Sequence, residues 1–246
     1  MPSTTIWTGS SISRGSSVEG RLVLGLDNSL DFLNIALSRE GELLEEKHIK
    51  PDKPPSQTVA DEVLRVLADH GCRVEDLSLI VVTLGPGSFT GIRVGLAFCK
   101  GLASGRDIPL LGVPTLDVLA EPFSFLDGLY VCPLVDAKKG EVFLALYRAV
   151  HGSIERQTDY KALRPEEISG IIRTPCIFFG SGVRVCASVL SQREGATIIR
   201  DGFTRISGET LIKVGLQRAN DAEVYGLNPV YGRRSEAEIK FGVKVL

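Results

Sequence analysis

A carboxylate and a hydroxyl stand together at Asp27-Asn28-Ser29, directly after the apolar run Leu22 to Leu26. At the end of a buried strand such groups can face nucleotide phosphates and a metal; the same residue types also make a plain hairpin turn. Asp136, ahead of Lys138, Lys139 and Gly140, carries the same two readings. The second chemical feature is Gly85-Pro86-Gly87-Ser88-Phe89-Thr90-Gly91-Ile92-Arg93-Val94-Gly95. It joins an apolar run, Leu79 to Val82, to an apolar stretch from Ile92 to Ala103 that predicts a helix. Backbone N–H groups and the positive end of a helix dipole meet at such a turn and can cradle a phosphate. Alternatively, the glycines serve a tight turn and close packing, with Ser88 or Thr90 as the helix cap. It is neither a Walker A loop, which needs Gly-Lys-Ser/Thr, nor Gly-x-Gly-x-x-Gly, since the third glycine falls one residue late.

Other chemistries find little support. His48, His70 and His151 are isolated, with no His-x-x-x-His or His-Glu-x-x-His pair, so a helical metal site is not expected. Ser181 lies in Gly-Ser-Gly, which lacks the spacing of a nucleophile elbow. The five cysteines are scattered without Cys-x-x-Cys, and Cys99 and Cys132 sit in apolar runs, as reduced core residues do. A net charge of -2 over 246 residues argues against a strongly basic nucleic-acid binder. At 43% hydrophobic and 24% charged the chain reads as an ordinary soluble protein with one large or two small cores. No run reaches the ~20 apolar residues of a membrane span, and the first twenty residues lack the apolar stretch of a signal peptide. A cytoplasmic location is expected.

The elements that must position these residues follow from periodicity. Strands are predicted at Leu22 to Leu26, Phe32 to Leu37 and Leu43 to Ile49, with Glu40-Gly41 as a hairpin turn. A helix follows from a cap at Ser56 to about Asp69, with Val59, Val63, Val66 and Leu67 on one face and Gly71 as the stop. Then come the strand Leu79 to Thr83, the glycine turn and its helix, a strand at Leu110 to Val113 and a helix from Pro114 to Ala120. The pattern restarts: a strand at Leu129 to Val135, one partner strand from Glu141 to Val150, a helix from Pro165, a strand at Cys176 to Phe179, a helix from Val183 to Ser191 and a last helix from Gly208 to Ala219. Residues 1–21 are read as a disordered extension, native or left by cloning. Residues 22–118 and 119–246 are read as two similar halves, each a mixed sheet, the second with an irregular tail. This α/β order is similar to the actin, Hsp70 and sugar-kinase (ASKHA) superfamily. The helix after the glycine turn is apolar nearly all round, so it must be buried on more than one side. Its small residues Gly91, Gly95, Ala97 and Gly101 would admit another helix, either from this chain or from a partner.

The glycine segment resembles the signature of the bacterial TsaB family, also called YeaZ. Leu24 to Ser29, Lys100-Gly101-Leu102-Ala103, Pro109 to Val113, Asp117 to Ala120, Asp136 to Phe143 and Pro229-Val230-Tyr231-Gly232-Arg233 match in order, so the resemblance covers about Leu22 to Arg233. The departures are Pro55-Ser56 where the family often has His-Ser, Gly232 for a tail leucine, and the extra N-terminal residues. The resemblance implies an actin-like fold and a role in making threonylcarbamoyladenosine, the modified base beside the anticodon of tRNAs that read codons starting with A. It implies a non-catalytic subunit without metal or other cofactor. Such a subunit pairs with its paralogue TsaD, is joined by the ATPase TsaE, forms a homodimer when alone, and meets tRNA indirectly through the complex, with direct contact left open. It places the partner contact on the first two helices, here Ser56, Val59, Glu62, Val63, Val66, Thr90, Ile92, Arg93, Gly95, Leu96 and Lys100. The alternative is an actin-like ATPase or small-molecule kinase, or a weak nucleotide site, using Asp27, Ser29, Gly85, Gly87 and Ser88. A metallopeptidase is a third reading, weakened by the missing histidine pair.

Overall fold

The computed structural model describes residues 21–50, 52, 55–218 and 227–232. The N-terminal extension, the end of the last predicted helix at Ala219 and the tail from Arg233 lie outside the described residues.

Two sheets share one topology. The first has the order β3-β2-β1-β4-β5, built from β1 (Leu22–Asp27), β2 (Leu33–Arg39), β3 (Glu42–Ile49), β4 (Leu79–Thr83) and β5 (Leu110–Val113). β1, β2 and β3 are antiparallel neighbours, whereas β1, β4 and β5 run parallel. The second sheet repeats this as β10-β7-β6-β11-β12, from β6 (Tyr130–Lys138), β7 (Glu141–Leu144), β10 (Lys161–Leu163), β11 (Cys176–Phe179) and β12 (Ala196–Ile198). Its pairings alternate in the same way, antiparallel then parallel. β1 and β4 are apolar and fully buried, as central strands covered on both faces must be. The turn between β2 and β3 falls at Glu40 and Gly41, both at positive φ, which gives the twist a tight hairpin needs.

α1 (Pro55–Asp69) and α2 (Phe89–Ser104) pack side by side on one face of the first sheet, over a core that includes Leu24, Leu26, Ile80 and Val82. α3 (Thr115–Ala120) and α5 (Gly208–Gln217) fill the space between the sheets, and one apolar cluster there joins Val23 and Val81 to Val131 and Phe179. α5 belongs to the second half by sequence, yet it lies against β1, β2, β4 and β5 of the first sheet.

The second half departs from the sequence reading in detail. The single strand expected over Glu141 to Val150 is two, β7 and β8 (Tyr147–Val150), because the backbone of Leu146 turns to the 157–158 segment: its N–H donates to Thr158 Oγ1 and its carbonyl accepts from Gln157 N–H. β8 then pairs with the start of β6 and with β9 (Ser153–Arg156). The helix expected from Pro165 is a six-residue 3-10 helix, and the one from Val183 divides into a 3-10 turn, Ser181–Arg184, and the short α4 (Ala187–Leu190).

Candidate functional site

Asp27 ends β1 and is completely buried. The β1–β2 register sets Asn34 opposite it, and the parallel β1–β4 register brings Thr83 alongside. Its carboxylate accepts four hydrogen bonds. Oδ1 takes Ser29 N–H at 2.9 Å, Ser29 Oγ–H at 2.5 Å and Thr83 Oγ1–H at 2.7 Å, and Oδ2 takes Asn34 Nδ2–H at 2.7 Å. Burial pushes the carboxyl above its ordinary range, against the opposing pull of these donors. Ser29 Oγ also accepts from Thr115 Oγ1 at 2.8 Å, which ties the cluster to α3.

The glycine turn closes over this cluster. Gly85 has φ +94°, and its carbonyl accepts from Thr115 N–H at 2.7 Å. Ser88 N–H donates to the carbonyl of Ser29 at 2.7 Å, and Asn28 Nδ2 donates to the carbonyl of Gly91 at 3.0 Å. Ser88 caps α2 by accepting Gly91 N–H on Oγ at 3.2 Å, while Ile92 N–H goes to the Ser88 carbonyl. The N–H groups of Ser88, Gly91 and Ile92 are thus engaged within the chain. The glycines permit the approach: a Cβ on Gly87 would lie 2.0 Å from the Ser29 carbonyl oxygen, and one on Gly91 2.0 Å from that of Asn28. In this arrangement the cluster anchors the start of α2.

The helix pair carries the other candidate surface, and several of the residues expected on it are buried within the chain. Val59, Val63, Val66, Ile92 and Leu96 are each at most 5% exposed and belong to the chain's own core. Gly95 is buried too, its Cβ position 3.4 Å from the Asn28 Cβ. The apolar face that Val59, Val63, Val66 and Leu67 form on α1 is turned to the sheet. Glu62 is half-buried and pairs with Arg65 at 2.8 Å; Thr90, Arg93 and Lys100 are exposed. Ser56 lies in the first turn of α1, and its side chain is outside the described residues.

The more outward line on α2 consists of Thr90, Ala97 and Gly101, exposed, and Val94, half-buried, and Leu64 of the neighbouring α1 is half exposed. These positions recur at intervals of three and four, so they form one line along the helix. Gly101 is exposed, and a Cβ placed on it would touch nothing within 4 Å. A mid-helix glycine costs about 1 kcal/mol relative to alanine, and no internal contact explains it. The small residues of α2 divide by face: Gly91 and Gly95 admit the chain's own backbone and side chains, whereas Ala97 and Gly101 are exposed, a difference that residue type alone does not carry. Nor does residue type carry the run of Leu227–Gly232 along the α2 flank, where Val230 N–H donates to the Leu84 carbonyl at 2.8 Å and Lys100 Nζ to that of Leu227 at 2.7 Å.

Duplicated mixed sheets with helices between and outside them define an α/β protein of the actin-like ASKHA class. Residues 53–190 match the family described as TsaD, tRNA N6-adenosine threonylcarbamoyltransferase. Over nearly its whole length the chain resembles tRNA threonylcarbamoyladenosine biosynthesis protein TsaB. It is 31% identical to that of Bacillus subtilis (strain 168), over 89% of this chain and 97% of the relative. To that of Escherichia coli (strain K12) it is 26% identical, over 87% and 96%. In fold it is similar to YeaZ from Pseudomonas aeruginosa, with a TM-score of 0.71 and 24% identity, over 86% of this chain and 99% of that one. A second Pseudomonas aeruginosa structure, described as having similarity to peptidase YEAZ, gives a TM-score of 0.73 at 24% identity, over 87% and 100%. The chain belongs to the TsaB (YeaZ) family of tRNA threonylcarbamoyladenosine biosynthesis proteins, within the wider group that shares the TsaD match.

Proposed function

We propose that this chain is a non-catalytic subunit that binds TsaD and activates it for threonylcarbamoyl transfer to tRNA. Docking uses the outer face of α1 and α2, centred on Leu64, Thr90, Val94, Ala97 and Gly101. The observation that carries this is Gly101, whose missing side chain serves no contact within the chain and leaves room for a second helix to approach closely. The surrounding stripe is uncharged, with Thr90, Ala97 and Leu64 exposed and Val94 half-buried, as suits the centre of an interface. A standard interface of ~1,600 Å² in total would hold the pair, and unequal binding to two states of TsaD would shift it toward the active one. In the absence of TsaD the same face pairs two copies of this chain; TsaE joins the heteromeric complex in the cytoplasm, and the tRNA is held chiefly by the partners.

The closed glycine turn favours this reading over an ATPase or kinase. Asp27 and Ser29 spend their hydrogen bonds on each other and on Asn34, Thr83 and Thr115, and Gly85, Gly87 and Ser88 serve the packing of α2. Light scattering after gel filtration, on this chain mixed with TsaD of the same organism, tests the pairing. A one-to-one heterodimer that replaces any homodimer is expected, and two unshifted peaks would refute it.

A further inference from the structure

At the start of α2 an arginine lies against a pair of touching aromatic rings. The Arg93 guanidinium lies 3.9 Å from the centroid of Phe89, and its Nε donates to Tyr231 Oη at 3.0 Å. The two rings are 5.1 Å apart. This group lies at the surface: Phe89 remains 47% exposed with both neighbours against it, and Arg93 is exposed. Phe89 therefore adds little to the core, and a large exposed ring at the first helical position needs another reason. Lys100 follows on the same flank, seven residues or about 10 Å along the helix. Among the described residues neither Arg93 nor Lys100 forms an ion pair. Lys100 gives one N–H to the Leu227 carbonyl and has two more to offer. Two cations without an ion-pair partner thus lie beside an aromatic pair of which Phe89 is exposed and Tyr231 half-buried.

We infer that Phe89, Arg93 and Tyr231 are a direct contact for single-stranded RNA, with an unpaired base stacking on the aromatic–guanidinium platform and Lys100 meeting the backbone phosphate beyond it. Stacking on an aromatic ring accepts any base, and a neighbouring guanidinium adds both a second planar surface and a charge for the phosphate. The inference rests on the proposed role in a tRNA-modifying complex and gives this chain its own share of the substrate. The platform adjoins the docking stripe, since Thr90 and Val94 follow Phe89 and Arg93 in the same turns, so RNA bound there would lie at the rim of the subunit contact.

Fluorescence anisotropy with the full chain, alone and mixed with TsaD, tests this using two probes: an unmodified tRNA transcript and a blunt RNA duplex with no unpaired bases. Phe89→Ala and Tyr231→Ala should each weaken binding of the tRNA about tenfold, in line with the stacking contribution of one base, and change duplex binding less than twofold. Phe89→Tyr should restore it. Arg93→Ala combined with Lys100→Ala should reduce the steepness of the salt dependence by about two phosphate contacts. All these side chains are at the surface, so circular dichroism melting should match the unsubstituted chain. Unchanged tRNA affinity in the folded variants, or no tRNA binding by the chain in either setting, would overturn the inference. Loss of TsaD pairing in light scattering with tRNA binding intact would also overturn it, and would make the cluster part of the protein interface. Should the unsubstituted chain fail to pair with TsaD, the subunit reading falls, while the titration of the chain alone still decides the platform.

Discussion

The Cβ position of Gly87 lies 2.0 Å from the carbonyl oxygen of Ser29, a distance no side chain can occupy. Ser88 donates its N–H to that same carbonyl at 2.7 Å. The glycine turn and the β1–β2 turn therefore touch backbone to backbone, above a carboxylate whose lone pairs are already taken. The glycine at 87 answers to this close packing.

Alanine at Gly87 or Gly91 forces two backbone segments apart. Either substitution is expected to cost about 3 kcal/mol, the upper range for overpacking, seen as a lower urea midpoint. A midpoint equal to that of the unsubstituted protein would mean that the turn opens freely.

Gly101 and Leu96 should behave oppositely, although both are on α2. Gly101→Ala is expected to raise stability by about 1 kcal/mol through helix propensity, and Gly101→Arg to leave the fold intact while preventing association. Leu96→Asp places a charge in the core, where Leu96 is 5% exposed, and should unfold the chain. Thermal melting of the variants, with light scattering on those that fold, separates the two cases. A folded Leu96→Asp protein would move the core boundary.

Burial pushes the thiols of Cys176 and Cys186 up to about 12 and about 11, and those of Cys99 and Cys132 upward as well. Only the thiolate reacts, and at pH 8 about one Cys186 in a thousand carries it. Site-resolved mass spectrometry after alkylation at pH 8 should find these four cysteines unmodified in the native protein and modified in urea. Rapid native labelling at Cys186 would show that α4 opens.

Asp27 gives a pH dependence of definite sign. Its carboxyl is raised above 3.8 in the fold, chiefly by burial, so the folded state holds the proton more tightly than the unfolded one. The stabilisation is complete below the ordinary carboxyl range and is lost as pH rises through the folded value. Asp27→Asn removes that titration. The stability of the unsubstituted protein relative to Asp27→Asn should therefore fall as pH rises, in urea titrations from pH 4 to pH 8. A difference that grows with pH would mean that the four donors outweigh burial and hold the carboxyl low.

Much of the first half is legible from periodicity because its strands are long, apolar and central. β1, β4 and β5 lie where their apolar runs place them, and Glu40-Gly41 is the hairpin turn its residue types require. The second half is less legible: β10 and β12 have three residues each, and Leu146 interrupts a continuous apolar run only because Gln157 and Thr158 meet its backbone. The candidate face shows the limit most clearly. A helix that is apolar nearly all round does not announce which stripe meets its own sheet, so Leu96, which is buried, is not told apart in the sequence from Ala97 and Gly101, which are exposed. The contact of Tyr231 with Arg93 spans 138 positions of sequence and leaves no local periodic signal.

The central claim is that this chain acts by docking the outer α1–α2 face on TsaD. The most direct test is the rate of threonylcarbamoyl transfer to unmodified tRNA by TsaD and TsaE, with the unsubstituted chain, with Gly101→Arg, or with neither. The account predicts that the unsubstituted chain accelerates transfer, while folded Gly101→Arg leaves the rate at that of the mixture lacking the chain. Equal acceleration by the two proteins, or transfer by this chain in the absence of TsaD, would contradict it.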